Sequence, residues 1–525
     1  MKNIRNAIVC MFDSWQFNYA GCYGNEWIKT PNFDRFAREG VLFENAYGNN
    51  MPTLPVRRSL MTGRFTIQEI GWGPLRPEDT TIADLCWGTG VATALVYNTQ
   101  VMYMGKAGYN RSYATAIFTQ GYDEYYYSKD ELYDHYTVDQ FFEDPGFIDR
   151  LRATPDGRFA EKTSREVMDL YLRDKQHWKK EEDHTVVKNI RAAIKVIKER
   201  DKNHGFHLWI DNWDPHEPWD PPSVWDKDME CPYDKGYKGC DIWQPPMGLV
   251  EGIYTEEQLH HIRMIFAEKI TLCDKYFGEL CDCIRSEGMW ENTLMWVTSD
   301  HGEPMGNGQW GHGLMCKVRP WPYEELVHIP LLIKFPGCKT GMRTKAYAQD
   351  CDCAPTVLDW LGLPIPRIMT GKSLLPLCRG EVEKVRDFAV TGYFSFSWSI
   401  ITDDYSFIHW LATDTKGSDE NMSIWAEMYT SHAAATQEIG RAVSDSVDDD
   451  TDYKAMEEYK KQRSLDGEAQ WTCNPNTRTD VPEGDELYDR RNDPFQLNNI
   501  ISEKPEVAAE LLKTLRTFMT DMRLA

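Results

Sequence analysis

Asp300 and His301 stand directly behind the short apolar run Leu294–Val297, which is bounded by Asn292 and Gly302. Such a run reads as a buried strand, with a core helix as the alternative that periodicity alone leaves open. A strand there would deliver both side chains to the carboxyl edge of a sheet, where open α/β sheets hold their ligands. A single Asp-His pair has a plain reading, a capping Asp beside a solvated His. The pattern recurs, however. Ala7–Phe12 is another apolar run and ends in Asp13, and Phe206–Ile210 is followed by Asp211, Asp214 and His216. Three strand-like runs ending in carboxylates and imidazoles can converge on one cleft and hold a divalent cation.

A second stretch with chemical potential runs from Met51 to Gly63 and contains Thr53, Pro55 and Arg57, with Ser59 to Met61 entering a helix. A hydroxyl, a Pro-fixed turn, an Arg and a helix start would aim Thr53 into an anion site, because helix N-termini favour negative groups. Alone, the same residues read as an ordinary Thr-Pro turn with a surface Arg.

The elements that must position these groups alternate. After the strand ending at Asp13, Thr30-Pro31-Asn32 opens a helix through Phe33, Phe36 and Ala37 that Gly40 ends; Pro behind a Thr cap is a start signal. Val41–Tyr47 reads as a strand, Thr81–Trp87 as a helix and Ala92–Val96 as a strand. Residues 123–149 read as an irregular insert. Charge-rich helices occupy 160–200, with Val186, Ile190, Ala193, Ile194 and Ile197 on one core-facing side. A long amphipathic helix is expected over 255–285, a strand at Ile329–Phe335, and a helix at Ala354–Leu361 closed by Gly362. Strands interleaved with helices predict an α/β fold: a large, mainly parallel central sheet flanked by helices. Beyond about residue 385 the pattern changes. Phe388–Trp398 and Ser406–Trp410 read as antiparallel strands and Val507–Met522 as a closing helix. The expected division is a catalytic domain over 1–384 and a smaller C-terminal α+β domain over 385–525, with a polar insertion at about 413–485.

The 525 residues carry 58 Lys plus Arg against 82 Asp plus Glu, a net charge of −24. A surface this acidic argues against a nucleic-acid scaffold and against docking on anionic lipid, while permitting a small cationic pocket for an anionic substrate. No run approaches the ~20 apolar residues of a spanning helix, and the N-terminal run is too short for a signal-peptide core. The 14 cysteines include Cys281-Asp-Cys283 and Cys351-Asp-Cys353, too tightly spaced for a usual bridge or zinc knuckle. Reduced thiols and a cytoplasmic location are the expectation.

At this point the sequence resembles the sulfatase family of the alkaline phosphatase superfamily. The resemblance is carried by Asn6–Asp13, Lys29–Arg35, Glu39–Phe43, Asn45–Tyr47, Ser59–Gly63, Thr298–Glu303, His312–Lys317, Ile329–Ile333, Asp352–Leu358 and Leu487–Pro494, in the family's order. It implies an alkaline phosphatase-like fold and a metal-dependent ester hydrolase. Sulfatases place a Cys, oxidised to formylglycine, at the head of a C-x-P-x-R motif; here that position is Thr53, with Pro55 and Arg57 kept. Threonine cannot become an aldehyde, so the usual sulfate-ester route is closed, whereas a Thr alkoxide is the nucleophile in phosphate-cleaving relatives. The family's Asp-Asp and Asp-Asn pairs are here Asp13-Ser14 and Asp300-His301, as in its phosphonate monoester hydrolase and phosphodiesterase branch, although that branch also uses formylglycine. The Gly-Lys-Trp-His segment becomes Tyr97 to Gln100, losing its Lys and His; Asn98 and Gln100 are left as candidate substrate contacts.

The resemblance implies one divalent ion held by Asp13, Thr53, Asp300 and His301, with Mn²⁺ or Zn²⁺ suiting the mixed oxygen and nitrogen donors better than Ca²⁺. It would lower the pKa of the Thr53 hydroxyl and draw charge from a phosphoryl oxygen. Arg57 would hold the nucleophile's surroundings and the substrate's negative charge, Lys317 and His216 would stabilise equatorial oxygens or the leaving group, and His312 is a candidate proton donor. Asp211, Asp214, His216 and His312 are candidates for a second metal, and one metal is the expectation. The favoured activity is hydrolysis of phosphodiesters or phosphonate monoesters through a covalent Thr53 intermediate. The rivals are a formylglycine-independent sulfatase and an inactive relative binding an anionic ligand. The partner expected is a small anionic ester, with homo-oligomer formation left open. Residues 100–150 and 413–485 would build the leaving-group pocket.

Overall fold

The structure is a computed structural model describing residues 4–119, 171–411 and 484–524, apart from positions 70, 72, 104–106, 173–174, 176–177, 179, 227, 246–247, 318–320 and 395. The expected insert at 123–149, the first part of the helices at 160–200 and nearly all of the 413–485 stretch lie outside the described residues.

Fifteen strands are described: β1 (Asn6–Phe12), β2 (Val41–Tyr47), β3 (Val91–Tyr97), β4 (Thr115–Phe118), β5 (Gly205–Asn212), β6 (Gly248–Leu249), β7 (Thr293–Ser299), β8 (Met305–Gly306), β9 (Leu314–Met315), β10 (Leu331–Lys334), β11 (Met342–Gln349), β12 (Ala389–Tyr393), β13 (Ser397–Ile401), β14 (Tyr405–Trp410) and β15 (Glu486–Asp489). Eight form the central sheet in the order β11-β2-β10-β7-β1-β5-β3-β4. Only β10 runs antiparallel to its neighbours. Every residue of β1 and of β7 is buried, as expected of parallel strands covered on both faces, and this is why they read as unbroken apolar runs. β6, β9 and β8 make a small separate sheet.

Helices cover the sheet as the sequence predicts. The helix Pro31–Glu39 buries Phe33 and Phe36, and both rings pack on Phe277 of the long helix Glu256–Ser286. Thr255 and Gln258 close that long helix with a capping box. The cap at Pro31–Glu39 differs from expectation. The Thr30 hydroxyl bonds the Asp34 carboxylate, while Asp274 of the long helix accepts from the backbone N–H groups of Asn32 and Phe33. The helix following residue 52 starts at Thr53 rather than Ser59, which places Thr53 in its first turn.

The C-terminal region is an antiparallel sheet, β12-β13-β14-β15, covered by the helix Pro505–Leu524. Val390, Ile400, Phe407, Leu515 and Met519 share its core with Phe65 and Ile67 from the first region. The run Phe388–Trp398, expected as one strand, is two strands with a turn between Tyr393 and Ser397. The Phe-Ser-Phe-Ser alternation carries no Gly or Pro to announce that turn. The two sheets meet where the Met51 N–H donates to Gly392 O at 2.9 Å, and Met51 and Tyr393 form a parallel bridge. Thr53 therefore sits at the seam between them.

Candidate active site

Strand register assembles the site. Phe12 pairs with Asn212 on one side and Ser299 on the other, and Tyr97 pairs with Asp211. Parallel neighbours at equal height emerge together, so Asp13, Asn98, Asp211 and Asp300 are all delivered to one edge. The helix Thr53–Thr62 starts there, and Thr53 holds a positive φ of 21°. A β-branched residue rarely adopts that conformation, and such strain concentrates at functional positions.

Asp13, Asp300 and His301 are fully buried, and each offers a donor atom within 4.8 Å of the others. His301 Nε2 lies 3.8 Å from Asp13 Oδ1, 3.5 Å from Asp300 Oδ2 and 3.1 Å from Thr53 Oγ1. Around a cation with bonds of about 2.1 Å, neighbouring donors stand roughly 3–3.5 Å apart, so this set fits a divalent ion. The His301 ring is prepared for it. Its Nδ1 hydrogen goes to Gly302 O at 2.7 Å, which leaves Nε2 as a lone-pair donor facing Thr53. Burial, reinforced by Lys317, lowers the His301 pKa to about 3, so the imidazole is neutral and able to ligate. Burial and then the neighbouring Asp300 raise Asp13 to about 6; the two acids in one dry site call for a compensating cation. Asp300 Oδ1 accepts from the Ser14 and His301 backbone N–H groups, fixing the carboxylate.

Arg57, one helical turn beyond Thr53, is also fully buried. Its guanidinium lies 2.9 Å from Asp13 Oδ2 and 2.9 Å from Asp211 Oδ1, and 2.5 Å from Asp300 Oδ2. It also donates to Thr53 O. Burial opposes its charge, but the Asp211, Asp300 and Asp13 carboxylates outweigh that and hold it protonated. Arg57 thus holds three carboxylates and the Thr53 backbone together, the positioning part of the role expected of it.

Lys317 brings the second positive charge. It sits 3.4 Å from Glu303, 3.8 Å from Glu217 and 3.3 Å from Ser14 Oγ. Burial works against its charge, and Glu217 and Glu303 more than restore it. Burial drives Glu303 up to about 8 despite Lys317. Glu217, Glu303 and Cys316 also have donor atoms within 4.8 Å of one another, but the Lys317 ammonium already supplies positive charge there. His216 stacks on Trp213 at 3.9 Å and donates from Nδ1 to Glu217 O at 2.6 Å. Burial and then Lys317 push its pKa well down, so its Nε2 carries no proton. Lys317 and His216 retain 12 % and 11 % side-chain exposure, whereas Thr53 is 1 % exposed; they face the mouth of the site and Thr53 its floor.

The remaining candidates divide. Asn98 Oδ1 accepts from the Trp213 N–H at 2.7 Å, while its Nδ2 is buried and has no hydrogen-bond partner among the described residues. Gln100 opens the short helix Gln100–Tyr103 and is half-buried. His312 does not join the site's hydrogen bonding. Its Nδ1 is 2.8 Å from Glu325, its Nε2 is 3.0 Å from Gln496 O, and its ring stacks on Tyr323. With both nitrogens engaged it clamps the two regions together. The second-metal candidates are also engaged elsewhere: Asp211 with Arg57 and Thr99, Asp214 with Lys269 and Thr185. Glu217 and Glu303 are not among the residues singled out from sequence, though one follows His216 directly and the other stands two residues beyond His301.

Comparison with known proteins shows the family. The sulfatase family model matches residues 5–363, and a model described as N-sulphoglucosamine sulphohydrolase, C-terminal, matches 311–418. The chain belongs to the sulfatase family of the alkaline phosphatase superfamily, and is a hydrolase of that superfamily, whose members depend on divalent metal. It is 25 % identical over 417 residues to the multifunctional alkaline phosphatase superfamily protein PehA of Trinickia caryophylli, covering 71 % of this chain and 76 % of that one. It is 23 % identical to the N-acetylglucosamine-6-O-sulfatase of Bacteroides thetaiotaomicron, covering 88 % and 90 %. Among solved structures, the phosphonate monoester hydrolase of Agrobacterium radiobacter superposes with a TM-score of 0.65 at 17 % identity, covering 99 % and 96 %. BT4656, solved with D-glucosamine-2-N,6-O-disulfate, superposes at 0.63 with 18 % identity, covering 99 % and 98 %.

Proposed function

We propose that this protein hydrolyses phosphodiesters or phosphonate monoesters, with Thr53 as nucleophile. The observation that supports this best is the Thr53 hydroxyl at 3.1 Å from His301 Nε2, at a helix start and beside Asp13 and Asp300. Asp13, Asp300, His301 and the Thr53 oxygen would hold one Mn²⁺ or Zn²⁺, which would supply Lewis acidity for the hydroxyl and for a phosphoryl oxygen. Thr53 attacks phosphorus and the P–O bond to the alcohol breaks, the alcohol leaving with the proton that Thr53 gives up; Thr53 is left esterified to the remaining phosphomonoester, or to the phosphonyl group when the substrate is a phosphonate monoester. Lys317 holds an equatorial oxygen through its ammonium, and the Asn98 Nδ2 donor faces a second. Neutral His216, with Nε2 free of a proton, suits activation of the water that releases the phosphomonoester or phosphonate from Thr53 and restores its hydroxyl. The small anionic ester needs only the local positive charge of Lys317 in a chain of net charge −24. The 13 described cysteines are all free, which supports a reducing, cytoplasmic setting.

The second reading, a formylglycine-independent sulfatase, is favoured by the names of relatives, among them the N-acetylglucosamine-6-O-sulfatase and the arylsulfatase of Clostridium perfringens. Assays of the manganese- or zinc-loaded protein on aryl phosphodiester, phosphonate, phosphomonoester and sulfate esters separate the two. We expect phosphodiester or phosphonate turnover, abolished in Thr53→Ala and in Asp300→Asn. Dominant sulfate hydrolysis would reverse the ranking, and full activity in Thr53→Ala would remove the covalent step.

A further inference from the structure

The C-terminal sheet places one residue beside the segment that carries Thr53. Tyr393 is the last residue of β12, and its backbone bridges to Met51, two residues before the nucleophile. The position is fixed from both sides. The Gly392 carbonyl accepts from the Met51 N–H, and a Cβ on Gly392 would fall 2.2 Å from Ser397 O at a φ of 142°. Only glycine permits that approach, so the backbone presenting Tyr393 has no freedom to shift.

The Tyr393 ring is packed to 1 % exposure, yet its hydroxyl is buried with no hydrogen-bond partner among the described residues. Burying a hydroxyl without a partner costs about 1–3 kcal/mol, and phenylalanine would fill the same space without that cost. The charges acting on this hydroxyl are those of Lys317, at the mouth of the site, and of its buried partner Glu303; neither bonds it. A phenol is a strong donor to an anionic oxygen.

We propose that Tyr393 is a substrate-binding residue: its O–H donates to an oxygen of the bound anion on the Lys317 side of the site. The C-terminal region would then complete the anion pocket rather than merely pack against it. The inference rests on the hydrolase reading for its substrate class, but its test does not depend on turnover. Inorganic phosphate serves as the probe, titrated calorimetrically into the manganese-loaded full-length protein and into Tyr393→Phe, with thermal melting alongside. The expected result is about ten- to hundredfold weaker phosphate binding in Tyr393→Phe, as for one lost hydrogen bond to a charged group, with an unchanged or slightly raised Tm. A tyrosine difference-absorption signal on adding phosphate to the wild type, missing in Tyr393→Phe, gives the same answer independently of any change in fold. Equal phosphate affinity in the two proteins, or no binding by the wild type, overturns the proposal. If phosphate binding depends on Tyr393 while no ester is turned over, this inference stands and the hydrolase reading falls. If esters are turned over and phosphate binding ignores Tyr393, the reverse holds.

Discussion

His301 donates from Nδ1 to the carbonyl oxygen of its own neighbour, Gly302, at 2.7 Å, and the Gly302 N–H donates to Leu326 O at 2.8 Å. The glycine is thus the splint that aims the imidazole. A Cβ at Gly302 would lie 2.0 Å from Glu325 O, backbone that cannot swing aside. Gly302→Ala must move the His301 segment away from Thr53. It should cost about 1–3 kcal/mol of stability and weaken divalent-metal binding at least tenfold, measured by urea unfolding and by metal titration. Unchanged metal affinity would show that the carboxylates alone set the site.

Arg57 and the proposed cation perform overlapping tasks, since both neutralise Asp13 and Asp300. Arg57→Met removes the one cation that, among the described residues, ion-pairs with both carboxylates. Removing one member of a buried ion cluster costs about 3–5 kcal/mol. The loss should be largest in metal-free protein and should shrink when manganese is added, because an ion that binds only the folded state stabilises it. Thermal melts of both proteins with and without manganese test this; a loss indifferent to metal would place the cation elsewhere.

The parts of the site legible in sequence are those tied to local pattern. Asp13, Asp300 and His301 follow runs that are apolar because β1 and β7 are buried on both faces, so strand ends and ligands were read together. Contacts set by topology were not legible. Nothing near Arg57 announces Asp211, 154 residues away, and nothing near Tyr393 announces Met51. β11, the edge strand Met342–Gln349, carries exposed Arg343 and Lys345, so its polar half hid a strand. His312-Gly313 looked like a site motif, yet the glycine-rich turn delivers the ring to Glu325 and Gln496.

Asp350 gives the fold a pH dependence away from the metal ligands. Its Oδ1 accepts from Asn49 and from the Cys351 N–H, while Oδ2 is buried and unpartnered among the described residues. Burial raises its pKa to about 7. The native state therefore keeps this proton to about pH 7, whereas the unfolded chain loses it near the ordinary Asp value of ~3.9. Between those values the native state binds more protons, so this contribution is complete below the lower value and is lost as pH rises through 7. Asp350→Asn cannot ionise and keeps an Oδ1 acceptor. Its stability relative to wild type should improve from pH 5 to pH 8, by an amount on the order of a few kcal/mol. Urea unfolding at both pH values measures it, and an identical difference at each would refute the assignment.

Lys269 holds the segment that carries His216 and Glu217. From the middle of the long helix its ammonium reaches Asp220 at 2.7 Å and Asp214 at 3.2 Å, with all three side chains fully buried. It also donates to Pro218 O. The two carboxylates outweigh burial and keep it charged. Lys269→Met leaves two buried acids with their shared cation gone and should cost about 3–5 kcal/mol. Replacing Asp220 as well, by Asn, should recover part of that loss, because the orphaned charge rather than the missing contact dominates it; a double-mutant cycle by urea unfolding measures the coupling. At the site, freeing the Asp214–Asp220 segment loosens His216 and the Glu217 carboxylate that helps hold Lys317. The double variant should therefore raise KM and lower kcat together while Thr53 and the metal ligands stay in place. Purely additive stability losses would mean that each acid is already served by other partners.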